Sequence, residues 1–331
     1  MFGKPEVRER ELPVLAVDLG GTKIIVALIS NRGEMLASES RPTLADEGHE
    51  TVIKRIFAAI DHLLTLRSTS SSQLHSISIA AAGAIDTKKG IITISPNLPG
   101  WINIPLRSIV EEQYKVNVFL LNDANAAALG EHRFGAGKGA NNLIYITVST
   151  GIGGGIIIDG RLYSGASGGA GEVGHMTIDT NGPVCNCGNI GCWETLASGT
   201  ALAKKAIRRI NAGEKSLLTE MVEGKIENIT AKEVSLAAQN GDHLASEVVT
   251  RVINYLGIGM VNLVNILNPE IIIVGGGMSK MGDLLFDPLR QIVRERAFKL
   301  SAQAVRIVPA QLGDDAGVIG AAVFAFQQGL D

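Results

Sequence analysis

The feature that most limits what this 331-residue chain can fold into is a pattern that occurs twice. LPVLAVDLGGTKIIVALISNRGEMLAS, from residue 12, is an apolar run, a glycine pair, a second apolar run, the turn NRG and a third extended stretch. NNLIYITVSTGIGGGIIIDGRLYSG, from residue 141, repeats that order. Short β-branched runs bounded by Gly, Asn and Asp read as strands joined by tight turns. Two copies of one β-meander predict two similar lobes facing a cleft.

The rest of the chain supplies helices for such sheets. Helical spacing runs from Glu50 to Leu66, a buried strand from Ile77 to Ala82 ends at Gly83, and NIPLRSIVEEQY suggests a helix. VNVFLLND is a strand whose end opens the helix ANAAALGEHRF. A helical insertion is expected from Ser198 to Leu256, then the strand of NPEIIIVGGGMS. VRIVPAQLGDDAGVIGAAVFAFQQ closes the chain as a strand, a loop and an apolar helix. Alternating strands and helices make the fold class α/β. The expected domains are residues 1–123, with a helix of about 314–331 returning to them, and a larger lobe, 124–313, carrying the cysteine cluster and the insertion.

A composition of 46% hydrophobic and 19% charged residues suits two packed domains. The net charge of -3 provides no overall basic field, so neither nucleic acid nor an anionic membrane is an expected partner. The start, MFGKPEVRERELPVLAV, is charged where a signal peptide is apolar, and no apolar stretch of about 18 residues is evident. The expectation is a soluble, cytoplasmic protein.

Three motifs carry chemistry. In DLGGTK, residues 18–23, the glycines let backbone N–H groups approach phosphate, Thr22 adds a hydroxyl, and Asp18 is placed to hold Mg2+ through water. The same glycines also suit an ordinary hairpin turn. STGIGGGI, residues 149–156, and VGGGMS, residues 274–279, are further glycine clusters, and neither has P-loop spacing. Asp123 in LLNDANAAALGE suits a helix N-cap, or a general base taking a proton from a substrate hydroxyl that Asn122 orients. All three cysteines lie in GHMTIDTNGPVCNCGNIGCWE; His175, Cys185, Cys187 and Cys192 form a Cys3His set suited to closed, structural, tetrahedral zinc.

Together DLGGTK, NLPGW at 97–101, LNDANAAALGE, STGIGGG, GEVGH, CNCGNIGCWE and VGGGMS, in that order, make the chain resemble the ROK family of sugar kinases and sugar-responsive repressors. The resemblance covers nearly everything from about residue 13 and implies a two-lobed actin-like ATPase fold, shared with hexokinase and Hsp70. It implies ATP-dependent phosphorylation of a hexose at the 6-hydroxyl, glucose first, with Asp123 as catalytic base. It implies sugar contacts from Gly83, Asn97, Asn122, Glu172, His175 and Glu194, with His175 shared between sugar and zinc. The nucleotide set it implies is Asp18, Gly20, Gly21, Thr22, Lys23, Thr150, Gly151, Gly275, Gly276 and Gly277, with Mg2+ accompanying ATP. A homodimer or homotetramer is also implied. N-acetylmannosamine, N-acetylglucosamine, fructose and allose kinases remain alternatives within the family, as does polyphosphate as donor. A repressor would need a DNA-binding module, for which only about a dozen residues precede the first strand.

Overall fold

The computed structural model describes residues 12–95 and 97–328. Most of the charged leader on which the signal-peptide expectation rests, and the last three residues of the expected terminal helix, lie outside the described residues. The chain divides into two compact units: residues 1–130 with 314–331, and residues 131–313.

Unit 1 starts with the first meander, β1 (Val14–Leu19), β2 (Lys23–Ile29) and β3 (Met35–Pro42), followed by α1 (His49–Leu66) and β4 (Ser76–Ala81). A small sheet of β5 (Ala84–Asp86), β6 (Ile91–Ile94) and β7 (Ile102–Ile104) leads to α2 (Leu106–Tyr114), β8 (Val118–Asn122) and α3 (Asp123–Phe134). The main sheet has the order β3-β2-β1-β4-β8, antiparallel through the meander and parallel from β1 to β8. Alternation along β1 and β4 separates its two faces. Leu15, Val17, Leu19, Ile77 and Ile79 share a core with Val52, Ile56, Ile60 and Leu63 of α1, whose spacing makes one apolar helix stripe. Opposite stand small or polar residues, Ala16, Asp18, Ser76, Ser78 and Ala80. Against β1 and β4 lies the glycine- and alanine-rich terminal helix, Ala316–Gln328. It comes so near α3 that a Cβ on Gly320 would stand 1.6 Å from the carbonyl oxygen of Ala126.

Unit 2 holds the second meander, β9 (Leu143–Val148), β10 (Ile152–Ile158) and β11 (Arg161–Leu162). Helices α4 (Trp193–Ala197), α5 (Gly199–Asn211), α6 (Leu218–Met221), α7 (Ala231–Gln239) and α8 (His243–Leu267) follow. Then come β12 (Ile271–Gly275), α9 (Asp283–Arg296), α10 (Lys299–Ala304) and β13 (Arg306–Pro309); the terminal helix is α11. The sheet order β11-β10-β9-β12-β13 has the same plan as in unit 1. Ile144, Ile146, Ile272 and Val274 of the sheet pack with Val248, Val252, Leu256 and Met260 of α8.

One expectation needs correction. The insertion does not stop at Leu256, because α8 continues unbroken to Leu267. Gly257 and Gly259 look like a helix end in sequence, but they sit inside α8 where neighbours leave no room: a Cβ on Gly259 would lie 2.1 Å from the Trp193 ring. That longer helix is also, among the described residues, the one whose length and composition would suffice to cross a membrane, with 61% of its apolar window buried inside the protein.

Candidate active site

In unit 1 the tip between β1 and β2 is a tight turn closed by the Gly20 N–H on the Lys23 carbonyl at 3.0 Å. Gly20 therefore has its amide committed. The amides of Gly21 and Thr22 donate to nothing among the described residues. The tip is braced by buried Thr43, whose hydroxyl donates to the Gly20 carbonyl at 2.6 Å and whose N–H donates to the Thr22 carbonyl at 2.9 Å. NLPGW is carried directly against this tip, since a Cβ on Gly21 would lie 2.7 Å from the carbonyl oxygen of Asn97. Buried Trp101 holds that loop, with its N–H on the Leu98 carbonyl at 3.1 Å and its carbonyl accepting from Ser95 N–H at 3.2 Å.

Gly83 has φ +111°, a conformation that side chains rarely adopt, and packs against Ile94 and Ser95. Its carbonyl accepts from Asn122 Nδ2 at 3.1 Å. Asn122 Oδ1 accepts from the N–H groups of Ala124 at 2.9 Å and Asn125 at 3.1 Å, which makes Asn122 the N-cap of α3. Asp123 is thus the first helical residue rather than the cap, and its Oδ1 accepts from Ala124 N–H at 2.8 Å. Asp18 faces α11, where a Cβ on Gly317 would lie 2.3 Å from its Oδ2. Burial pushes the Asp18 carboxyl up to about 7; the Asp123 and Asp314 charges add to this and Lys23 opposes it. Lys23 Nζ bonds Asp314 Oδ2 at 2.7 Å. Asp314 and Thr43 are neighbours of these candidate residues that sequence reasoning missed. The DD of QLGDDAG was a visible but unspecific signal, and Thr43 offered none.

In unit 2 the glycine turns also converge. Gly276, with φ +81°, lies against Val148, where a Cβ would be 2.5 Å from the carbonyl oxygen, and Gly277 lies near Ser149. This brings Gly275 to Gly277 beside the turn bearing Thr150 and Gly151. Glu194 Oε2 accepts from Ile152 N–H at 2.9 Å, and a Cβ on Gly151 would stand 2.2 Å from that oxygen. Gly151 thus has a packing reason to be glycine besides any approach to phosphate. Glu172 Oε2 lies 3.9 Å from His175 Nε2. Burial raises the Glu172 carboxyl above its usual range; His175 opposes this and the Glu194 charge adds to it. The structure therefore brings Glu172, His175 and Glu194 together.

The other side of His175 faces sulfur, with Nδ1 3.7 Å from Cys185 Sγ. Cys187 Sγ and Cys192 Sγ are 3.7 Å apart, and all four donor atoms lie within 4.8 Å of one another. This cluster has the composition and spacing to hold one metal ion. Gly188 and Gly191, at φ +90° and +66°, turn the loop, and the Gly191 N–H closes it onto the Pro183 carbonyl at 2.8 Å. Asn189 Nδ2 donates to Cys192 Sγ at 3.5 Å.

The ROK family model matches residues 14–328. The chain belongs to the ROK family. It is 39% identical over 312 residues to the glucokinase of Thermotoga maritima, covering 94% of this chain and 96% of that protein. A crystal structure of a ROK glucokinase from Streptomyces griseus in complex with glucose and AMPPNP superimposes with a TM-score of 0.83 at 36% identity, covering 95% of this chain and 99% of that one. The xylose repressor of Caldicellulosiruptor bescii is 35% identical over 307 residues, covering 93% of this ROK chain but 76% of the repressor. The fold is accordingly the mixed α/β actin-like ATPase fold of ROK sugar kinases.

Proposed function

We infer that this ROK chain is a hexokinase-type sugar kinase that transfers the γ-phosphoryl group of ATP to glucose. Its likeness to glucokinases over nearly their full length supports the reaction class. One structural observation carries the assignment of the base: Asn122 caps α3, so the cap does not account for Asp123.

In this reading the Asp123 carboxylate accepts the proton of the sugar 6-hydroxyl. The hydroxyl oxygen forms its bond to the γ-phosphorus as the bond from phosphorus to the β–γ bridging oxygen breaks, and ADP leaves. Within unit 1, the amides of Gly21 and Thr22 and the ammonium of Lys23 serve phosphate oxygens, while Gly83, Asn97 and Asn122 shape the sugar side. Asn122 does so with both ends of its amide already bonded, so its contribution is to hold Gly83 and the start of α3 in place. Within unit 2, Thr150, Gly151 and Gly275 to Gly277 serve the nucleotide, and Glu172, His175 and Glu194 accept from or donate to sugar hydroxyls. Mg2+ accompanying ATP would offset charge on the phosphates, with Asp18 placed to hold it through water.

The Cys3His cluster fits zinc. Tetrahedral zinc with bonds of about 2.3 Å to sulfur requires sulfur–sulfur separations of about 3.8 Å, and Cys187 and Cys192 stand 3.7 Å apart. His175 would bind through Nδ1, which leaves Nε2–H directed toward Glu172 and the sugar. Four protein donors make the site structural.

The test is a panel of glucose, mannose, fructose and N-acetylated hexosamines against ATP and polyphosphate, compared by kcat/KM. Glucose with MgATP is expected to rank first. No turnover of any sugar would overturn the kinase reading. The likeness to a xylose repressor motivates a second reading, a sugar-responsive DNA-binding protein. Tight, sequence-specific and sugar-sensitive DNA binding by this chain would favour it.

A further inference from the structure

Glu131 in α3 is a fully buried carboxylate with no cation beside it among the described residues. Backbone N–H groups meet it instead. Oε1 accepts from the N–H groups of Gln311 at 2.8 Å and Leu312 at 2.7 Å, and Oε2 accepts from Ala136 N–H at 2.8 Å. Gly135 must be glycine for this, because a Cβ there would lie 2.1 Å from Oε2. Burying a carboxylate is unfavourable unless donors meet it, and here three backbone donors do.

What it holds is the segment leading to Asp314. The chain leaves unit 1 after Gly130 and returns to it at Asp314, so Glu131 stands at the first crossing and grips the residues just before the second. The β12–β13 ladder runs out at Pro309, and Ala310 makes the last such bond, to the Val274 carbonyl at 2.9 Å. Gln311 and Leu312 would be without partners if Glu131 did not accept from them. After Gly313, a turn at φ +56°, comes Asp314, which pairs with Lys23 at 2.7 Å, and then the start of α11 against Asp18. The last residue this carboxylate grips, Leu312, is therefore two residues by chain from Asp314, the group that orients Lys23.

We propose that Glu131 is a positioning residue for the MgATP side of the reaction: it fixes residues 311 and 312 so that Asp314 holds Lys23 beside Asp18. The proposal rests on the reading of Lys23 and Asp18 as phosphate-side groups. Glu131→Gln keeps the shape while turning one acceptor into a donor. It is expected to raise KM for MgATP about tenfold, the effect of losing one charge-assisted hydrogen bond, while KM for glucose stays within about twofold. Asp314→Asn alone should do the same. The double variant should be no worse than the poorer single one, because both act on one route. Amide exchange at Gln311 and Leu312 should quicken in Glu131→Gln without any turnover being measured. If Glu131→Gln does not melt cooperatively, Glu131→Asp takes its place in the same cycle. Additive effects of the two substitutions, or equal losses toward both substrates, would overturn the proposal. Lys23→Ala separates the two levels of inference. If it leaves KM for MgATP unchanged, the phosphate-side reading falls and this proposal with it. If it raises KM while Glu131→Gln does not, only the proposal falls.

Discussion

Asn122 and Asp123 stand side by side at the end of β8, and their hydrogen bonds separate their roles. Asn122 caps α3 and reaches Gly83, while Asp123 is the first helical residue. Asn122→Ala should therefore cost about 1 kcal/mol of stability in urea denaturation. Asp123→Asn should lower kcat by about 10²–10⁴ with stability unchanged within about 0.5 kcal/mol; equal stability losses in the two would show that both act as caps. The strand–Asp–helix pattern made the position of Asp123, at the start of α3 after β8, legible in sequence. Which of the two neighbours does the capping was not, because Asn and Asp fill that position equally well and only backbone geometry decides. Asp18 gives a further test at this scale. Its carboxyl moves from 3.8 in an ordinary setting to about 7 in the folded protein, chiefly through burial. Between those pH values the folded state holds a proton that the unfolded state lacks, so this group's contribution to stability falls as pH rises from about 4 to about 7 and then levels off. Asp18→Asn removes that slope. Without nucleotide or divalent cation, its melting temperature relative to the parent should rise between pH 5 and pH 8, and a constant difference across that range would refute the assignment.

At the level of elements, α8 and the cysteine loop depend on one another through Trp193. The indole is fully buried, donates from Nε1 to the Tyr255 carbonyl at 3.0 Å, and occupies the space that a side chain at Gly259 would need. Tyr255 in turn donates its hydroxyl to Asp179 Oδ2 at 3.1 Å, on the far side of the same loop. The residue after Trp193 is Glu194, which bonds the glycine hairpin at Ile152. Gly259→Ala should thus force Trp193 aside, lowering stability by about 1–3 kcal/mol. Unlike a remote core defect, it should also raise KM for glucose. A variant that melts earlier but keeps its KM would confine the helix to a packing role. The cysteine cluster was legible because three cysteines and a histidine, spaced by turn glycines, make up a complete tetrahedral donor set within one short segment. The extent of α8 was not, since a Gly-x-Gly in an apolar run marks a helix end unless a large ring from elsewhere fills the notch.

Across the whole molecule, the repeated meander foretold the shared sheet plan, since strand order follows from chain order once the hairpins are set. The terminal helix and its return to the first lobe were expected from the sequence, but the way it packs there was less predictable. α11 lies 13 residues of mostly small side chains against β1 and β4, an arrangement governed by steric fit at Gly317 and Gly320 rather than by a periodic apolar pattern. Each unit has its own hydrophobic cluster and one of the two tryptophans, Trp101 in unit 1 and Trp193 in unit 2. In Trp101→Phe, emission comes from Trp193 alone and reads the loop that would hold zinc. Metal binding by His175 and three thiolates adds free energy to the folded loop and none to an unfolded one. Chelation of the zinc-loaded protein, or Cys187→Ser, should therefore lower the midpoint of the Trp193 signal by several degrees and weaken glucose binding together, with zinc release measured alongside. If the metal leaves and neither midpoint nor glucose affinity moves, the cluster does not hold His175 for the sugar.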